Sequence, residues 1–238
     1  MKLCMPKQHG AWAMLVIPFW LGVAATRFIW VHIPFFIGWL LLYLATYPIL
    51  LLFKKRKMPY YTKWAIIYFI PAMAFLLVAL MYRPSIIYFG FIMIPFFALN
   101  AYFSSQNKER TFTNDFIAIL IFAIGGLASA YLAEGTINSE ARLSFSLVIL
   151  FFIGTTFYVK SIIRERKNTT FKWFSWIYHT LIIAGWVITG NWLIAVAFIP
   201  SLIRAIYFYG KRVNIKTLGI LEFVNASFFF IIILLVIM

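Results

Sequence analysis

The sequence predicts an all-α, polytopic membrane bundle of about nine transmembrane helices, and three observations carry that prediction. First, the chain of 238 residues is 64% apolar and only 11% charged, with a mean hydropathy of +0.94; soluble domains sit near about 45–50% apolar. Second, the apolar residues fall into stretches of about 20, the length that crosses a bilayer core as a helix. Third, Lys and Arg gather in alternate gaps between those stretches, as membrane topology requires.

The spans fall at about 10–26, 32–53, 64–82, 85–104, 114–133, 143–163, 173–189, 191–209 and 217–237. The first holds Gly10, Pro18 and Gly22, the composition of a kinked or broken helix. It reads as a retained span rather than a signal peptide, because its apolar region outruns a cleavage-length segment and Ala24-Ala25-Thr26 is a poor cleavage site. The second runs into Lys54-Lys55-Arg56-Lys57, and the third begins past Lys63. The fourth ends in a polar stripe of Asn100, Ser104 and Asn107. The fifth carries Gly125-Gly126 with Ala128, Ser129 and Ala130, small residues suited to close helix packing. The sixth ends in a second basic run, Lys160 to Lys167. Thr189-Gly190-Asn191 is a tight turn between the seventh and eighth, and the ninth closes the chain. Aromatic residues at the span ends (Trp30, Tyr60, Tyr61, Trp64, Tyr82, Trp173, Trp176, Trp192) read as interfacial anchors.

Eighteen of the 21 Lys and Arg residues fall on one side of these spans; Arg27, Arg83 and Arg142 fall on the other. The positive-inside rule then puts the N-terminus in the cytoplasm and the C-terminus outside. The formal charge of +15 belongs to topology and to anionic lipid rather than to nucleic acid. Cys4 is the single cysteine, so there is no internal disulfide and no metal-binding Cys cluster.

The basic runs also repeat. Thr46–Lys57 lines up with Thr156–Lys167, Lys63-Trp64 with Lys172-Trp173, and Ile94-Pro95 with Ile199-Pro200, at an offset of about 105–110 residues. That offset equals four spans, so the two copies share one orientation. The chain then reads as one transmembrane domain, 1–238, built as a four-plus-four parallel repeat (about 5–108 and 110–212) with an extra helix at about 217–237. Such repeats place a site at their shared interface.

An ionisable group within a span costs about 2.5–3.5 kcal/mol at the helix centre, so each one needs a reason. Lys160, His179, Arg204 and Glu222 all lie within about 10 Å of the basic interface, counting 1.5 Å per residue. Lys160, Arg164 and Lys167 share a helical face at i, i+4, i+7; Asn225 follows Glu222 at i+3; Gln8 and His9 enter the first span. Long cations can instead snorkel to the headgroups, and Glu222 can form a buried pair with Arg204 or Lys160. The convergence of these groups at one depth, with no matching polar groups in the outer half, suggests a cavity open to the cytoplasm. Its expected lining is Gln8, His9, Asn100, Lys160, Arg164, His179, Arg204 and Glu222. Walker, HExxH and GxSxG motifs are absent, as are paired Asp clusters for Mg²⁺; no cofactor or metal is expected.

Lys7-Gln8-His9-Gly10-Ala11-Trp12-Ala13-Met14 and Phe157-Tyr158-Val159-Lys160-Ser161-Ile162-Ile163-Arg164-Glu165-Arg166 resemble the signatures of the YwiC-like family of bacterial integral membrane proteins, a likeness that covers nearly the whole chain. The nine-span, four-helix-repeat architecture resembles the UbiA-type intramembrane prenyltransferases. That second resemblance implies Asp-rich motifs holding Mg²⁺ and a prenyl diphosphate at the ends of the second and sixth spans. Here those positions read Phe53-Lys54-Lys55-Arg56 and Lys160 to Arg166, cations with Glu165 the one acid. Mg²⁺-dependent prenyl transfer is therefore not expected. The expected function is binding of an anionic or isoprenoid-type membrane lipid or substrate in the cytoplasm-facing cavity. The alternatives are a small-anion or metabolite transporter, a metal-independent membrane transferase with His9 or His179 as acid/base, and a structural or assembly protein.

Overall fold

A computed structural model describes residues 4–6, 9–54 and 57–238. Among these the chain is all-helical, with nine α-helices and no strand: α1 (His9–Ala24), α2 (His32–Leu52), α3 (Met58–Tyr82), α4 (Ile87–Ser105), α5 (Phe112–Glu134), α6 (Ser139–Ile163), α7 (Thr169–Ile188), α8 (Trp192–Tyr207) and α9 (Ile215–Ile237). A single 3₁₀ turn, Pro84–Ile86, leads into α4. Six of the helical segments are long and apolar enough to cross a membrane, while α1 and α8 are shorter apolar helices. Large apolar side chains stand exposed along α3, α4, α7, α8 and α9, among them Ile70, Met81, Tyr88, Phe91, Leu181 and Phe223. In water such belts would drive association, whereas lipid is their natural solvent. The protein is a helical membrane bundle.

The helix starts explain where the expected boundaries shift. α3 begins at Met58 rather than near 64, since Pro59 is preset for a first helical turn. α7 begins at Thr169 because the Asn168 side chain accepts from the Phe171 N–H at 3.2 Å. Thr111 caps α5 and Asn214 caps α9 in the same way, so three helices start at the basic end with a side-chain cap. These first turns are too polar for lipid and escape a count of apolar residues. Of the two readings of the first span, kinked or broken, the second does not hold: α1 runs through Pro18 as one helix. α6 ends at Ile163 and α4 at Ser105, with Asn107 in a left-handed turn at φ 56°. Arg164, Lys167 and Asn107 therefore leave the helical faces expected for them.

The chain divides into two compact units, Met1–Phe145 and Ser146–Met238, with the division inside α6. In the first, α2 and α3 form an antiparallel pair, and α5 packs against α1 and α4. Leu15, Phe19, Phe35, Trp39, Phe122 and Leu132 build its core. The small residues of α5 let the α1 backbone approach closely: a Cβ added at Gly22 would collide with Gly126 O and Ser129 Oγ. The Ser129 hydroxyl donates across this crossing to Phe19 O at 2.7 Å. At the other end of α5, Arg83 donates Nε–H to Leu132 O at 2.9 Å and a terminal N–H to Ala133 O, capping a helix that closes on left-handed Gly135. One of the three basic residues outside the basic face is thus accounted for by a helix end.

In the second unit α8 packs against α7 and α9. Phe151 stacks on Phe229 at 4.0 Å, and Phe198 meets Phe229 edge-on at 5.5 Å. Tyr158, Ile162, Ala205 and Leu218 form a smaller core nearer the basic end. Trp30, Trp173 and Trp192 are well exposed, as interfacial anchors should be. Trp64 and Trp176 differ. Trp64 is buried against Cys4, Ala45 and Tyr68, and half-buried Trp176 donates Nε1–H to Ala205 O at 3.0 Å.

Candidate functional site

In the second unit each of four helices contributes two polar residues spaced i, i+3 or i, i+4, and hence on one helical face. They are Thr155 and Tyr158 on α6, Ser175 and His179 on α7, Ser201 and Arg204 on α8, and Glu222 and Asn225 on α9. All are buried except Glu222, which is nearly so. Counting 1.5 Å per residue, they reach from within a turn of the basic helix ends to about 15 Å deep, half the thickness of a bilayer core.

Arg204 is the hub. Its guanidinium donates to the Glu222 carboxylate in a salt bridge, and a second terminal N–H donates to Thr155 Oγ1 at 3.1 Å. The guanidinium carbon lies 4.2 Å from the Tyr158 ring centroid, a cation–π contact that supports the charge on a third side. Deeper, Asn225 Nδ2 donates to Ser201 Oγ at 3.0 Å, tying α9 to α8. His179 Nδ1 lies 2.6 Å from Ser175 O. A carbonyl only accepts, so Nδ1 carries the proton and Nε2 is a lone-pair acceptor. A Cβ at Gly154 would stand 2.9 Å from that Nε2, so glycine there leaves room for the ring.

Satisfaction is incomplete here, as it also is at Trp39, Tyr43, Trp64 and Tyr68 in the first unit. Tyr158 Oη, Arg204 Nε, His179 Nε2 and Ser175 Oγ are buried and lack a partner among the described residues. Three of the four can donate a hydrogen bond. A buried donor left unmade costs about 1–3 kcal/mol, so the three donors suit a group that supplies acceptors, and His179 Nε2 suits one that supplies a donor. The track then ends against the Phe151, Phe198 and Phe229 rings.

The structure pairs Arg204 with Glu222 and buries His179 on α7, which packs against α8. The alternative partnering of Glu222 is resolved in favour of Arg204. Lys160 is buried but stands two residues from Tyr158, and residues so spaced point to opposite sides of a helix. It does not share the Arg204 face. Arg164 is exposed in the α6–α7 turn, where Glu165 accepts from Asn168 Nδ2 at 2.9 Å. Asn100 lies in the first unit, its Oδ1 buried without a partner among the described residues. Nearby Ser104 donates to Leu50 O at 3.2 Å and to Glu109, which pairs with Lys54. Gln8 and the His9 side chain lie outside the described residues. Thr155 and Ser201 were passed over by the sequence reading, although their spacing to Tyr158 and Arg204 is the signal that finds them.

Among the described residues no three His, Cys, Asp or Glu side chains come together as a metal would need. An open recess of about 560 Å³ in the first unit, lined by Cys4, Tyr47, Lys57, Tyr60 and Tyr61 among others, contains none of the polar pairs. Burial there raises the Cys4 thiol above its ordinary pKa, which keeps it neutral and unreactive.

The model of the YwiC-like protein family matches residues 5–130. The protein YwiC of Bacillus subtilis (strain 168) is 47% identical over 230 residues, 96% of each chain. An uncharacterised protein of Haemophilus influenzae is 42% identical over 234 residues, 98% of each. No solved structure matches. The chain belongs to the YwiC-like family, as its opening motif implied.

Proposed function

We propose that this YwiC-like protein binds a membrane lipid with an anionic, phosphate-type head, of isoprenoid or glycerolipid kind, in the basic half of its second unit. The phosphate sits at Arg204 and Tyr158, with a hydroxyl of the head donating to His179 Nε2. One observation carries the reading: two buried unpartnered donors, Arg204 Nε–H and Tyr158 Oη–H, belong to a guanidinium and the phenol ring it lies against, an arrangement suited to oxygen acceptors bearing negative charge. The reading includes a cytoplasmic basic face, from the 18-to-3 division of Lys and Arg, and a UbiA-like repeat without its Asp-rich motifs. A through-pathway for a transported anion gains no support from this unit, since the polar track stops at the stacked Phe151 and Phe229.

The test is mass spectrometry of lipids copurifying with the wild-type protein and with an Arg204→Gln, Glu222→Gln double variant, which keeps the pair's volume and net charge. The wild type should retain a phosphate-headed lipid well above its share of the membrane, and the double variant should lose it. The same bulk lipid on both proteins would sink the proposal.

A further inference from the structure

The binding cluster is electrically neutral before any ligand arrives, and that constrains what it can accept. Arg204 on α8 is the cation and Glu222 on α9 the anion. From α6 the cluster is faced by the Tyr158 phenol and the Thr155 hydroxyl, and from α7 by His179. On α9 the nearest other titratable group is Lys216, exposed in the first turn; on α6 Lys160 stands two residues from Tyr158, a spacing that falls on the other side of a helix. A monoanion set beside Arg204 with Glu222 still ionised places two negative charges against one guanidinium in a medium of low dielectric.

We infer that Glu222 takes up a proton when the anionic head binds, so that the site exchanges its own carboxylate for the ligand's phosphate. The inference rests on the binding reading above. The step balances: a proton from water joins a Glu222 carboxylate oxygen, the Glu222–Arg204 ion pair opens, and the guanidinium N–H that it held turns to a phosphate oxygen. The cluster returns to neutrality with one cation and one anion. Protonation of His179 would also balance the charge. However, it would leave that N–H tied to Glu222 and set a second cation beside Arg204. Glu222 protonation alone both neutralises the site and frees the donor. Its side chain, 13% exposed against 6% for Arg204, is the more accessible partner of the pair.

The probe is short-chain phosphatidylglycerol, a phosphodiester that stays a monoanion throughout, so any proton taken up goes to the protein. Water-soluble glycerophosphoglycerol, the same head without chains, separates a lipid ligand from a free phosphate ester. Calorimetry of the wild-type protein in detergent, near pH 7 in two buffers of different ionisation heat, counts protons without any mutation. About one proton should enter per ligand bound, and affinity should fall up to about tenfold per pH unit on the alkaline side. Glu222→Gln should abolish uptake, flatten the pH dependence and bind at least about tenfold tighter near pH 8. Binding with no proton uptake by the wild type would overturn the inference while leaving lipid binding intact. Uptake that persists in Glu222→Gln would overturn the assignment to Glu222. Failure of both probes to bind at any pH from about 5 to 8 would instead remove the binding reading on which the inference stands.

Discussion

Each compact unit buries a histidine, and the two are handled differently. In the first unit His32 is completely enclosed, with Nε2 2.9 Å from Ser129 O and Nδ1 3.0 Å from the Ile29 N–H. A carbonyl accepts and an amide donates, so the neutral ring uses both nitrogens and has nothing left to offer. It pins the α1–α2 turn to α5 where Ser129 also bonds to α1. In the second unit His179 spends Nδ1 on its own helix at Ser175 O and leaves Nε2 without a partner among the described residues. Identical side chains at similar burial thus serve opposite ends: one closes a joint between helices, the other keeps a lone pair in reserve. For these two histidines burial does not mark the difference; the bonding of Nε2 does.

The largest effect expected falls on the ion pair. Arg204→Gln alone leaves the Glu222 carboxylate buried without its cation, and should destabilise the second unit by about 3–5 kcal/mol. The Arg204→Gln, Glu222→Gln double variant should recover most of that loss, because neither charge is then stranded. Unfolding of the wild type, Arg204→Gln, Glu222→Gln and the double variant in mixed micelles gives the coupling directly. A single variant as stable as the double would mean that the pair is not the hub of the unit.

His32 comes next. His32→Leu leaves Ser129 O and the Ile29 N–H without the side-chain partner that the ring supplied. The expected cost is about 2 kcal/mol, with hydrogen exchange rising first in the α1–α2 turn. His32→Gln, which can donate to Ser129 O, should restore part of the loss. A His32→Leu protein as stable as wild type would erase the contrast between the two histidines.

Sequence periodicity reads the helices well because lipid enforces it: a span must be about 20 residues and apolar nearly all round. It reads helix starts less well, as at Met58 and Thr169, because capped polar first turns lie outside that count. Within the site, depth and the face within each helix are legible; how the faces meet is not. Counting residues along α6 singled out Lys160 by depth, yet at two residues from Tyr158 it falls on the other side of that helix. The i, i+3 pairing of Ser201 with Arg204 and of Glu222 with Asn225 is in the sequence; that the two pairs meet requires the α8–α9 packing. His32 gave no warning at all, since a polar residue at the first position of a span looks like part of the interface.

The smallest stability effect and the sharpest test of the comparison belong to His179. Its Nδ1–H bond is to the carbonyl of Ser175 one turn back, and that carbonyl lies within α7, so the bond joins no second element. Removing the ring therefore breaks no link between helices. It also removes an unpartnered acceptor whose burial is itself unfavourable. His179→Leu roughly conserves volume and should change stability by less than about 1 kcal/mol, in contrast to His32→Leu. If the lone pair is held in reserve for a hydroxyl group of the ligand head, the same variant should weaken binding of the phosphate-headed lipid by about tenfold, the loss expected for one buried hydrogen bond. A His179→Leu protein that is unchanged in both stability and lipid affinity would show that incomplete hydrogen bonding at this residue marks nothing but tolerance. One that is destabilised as much as His32→Leu would place both histidines in the same structural role.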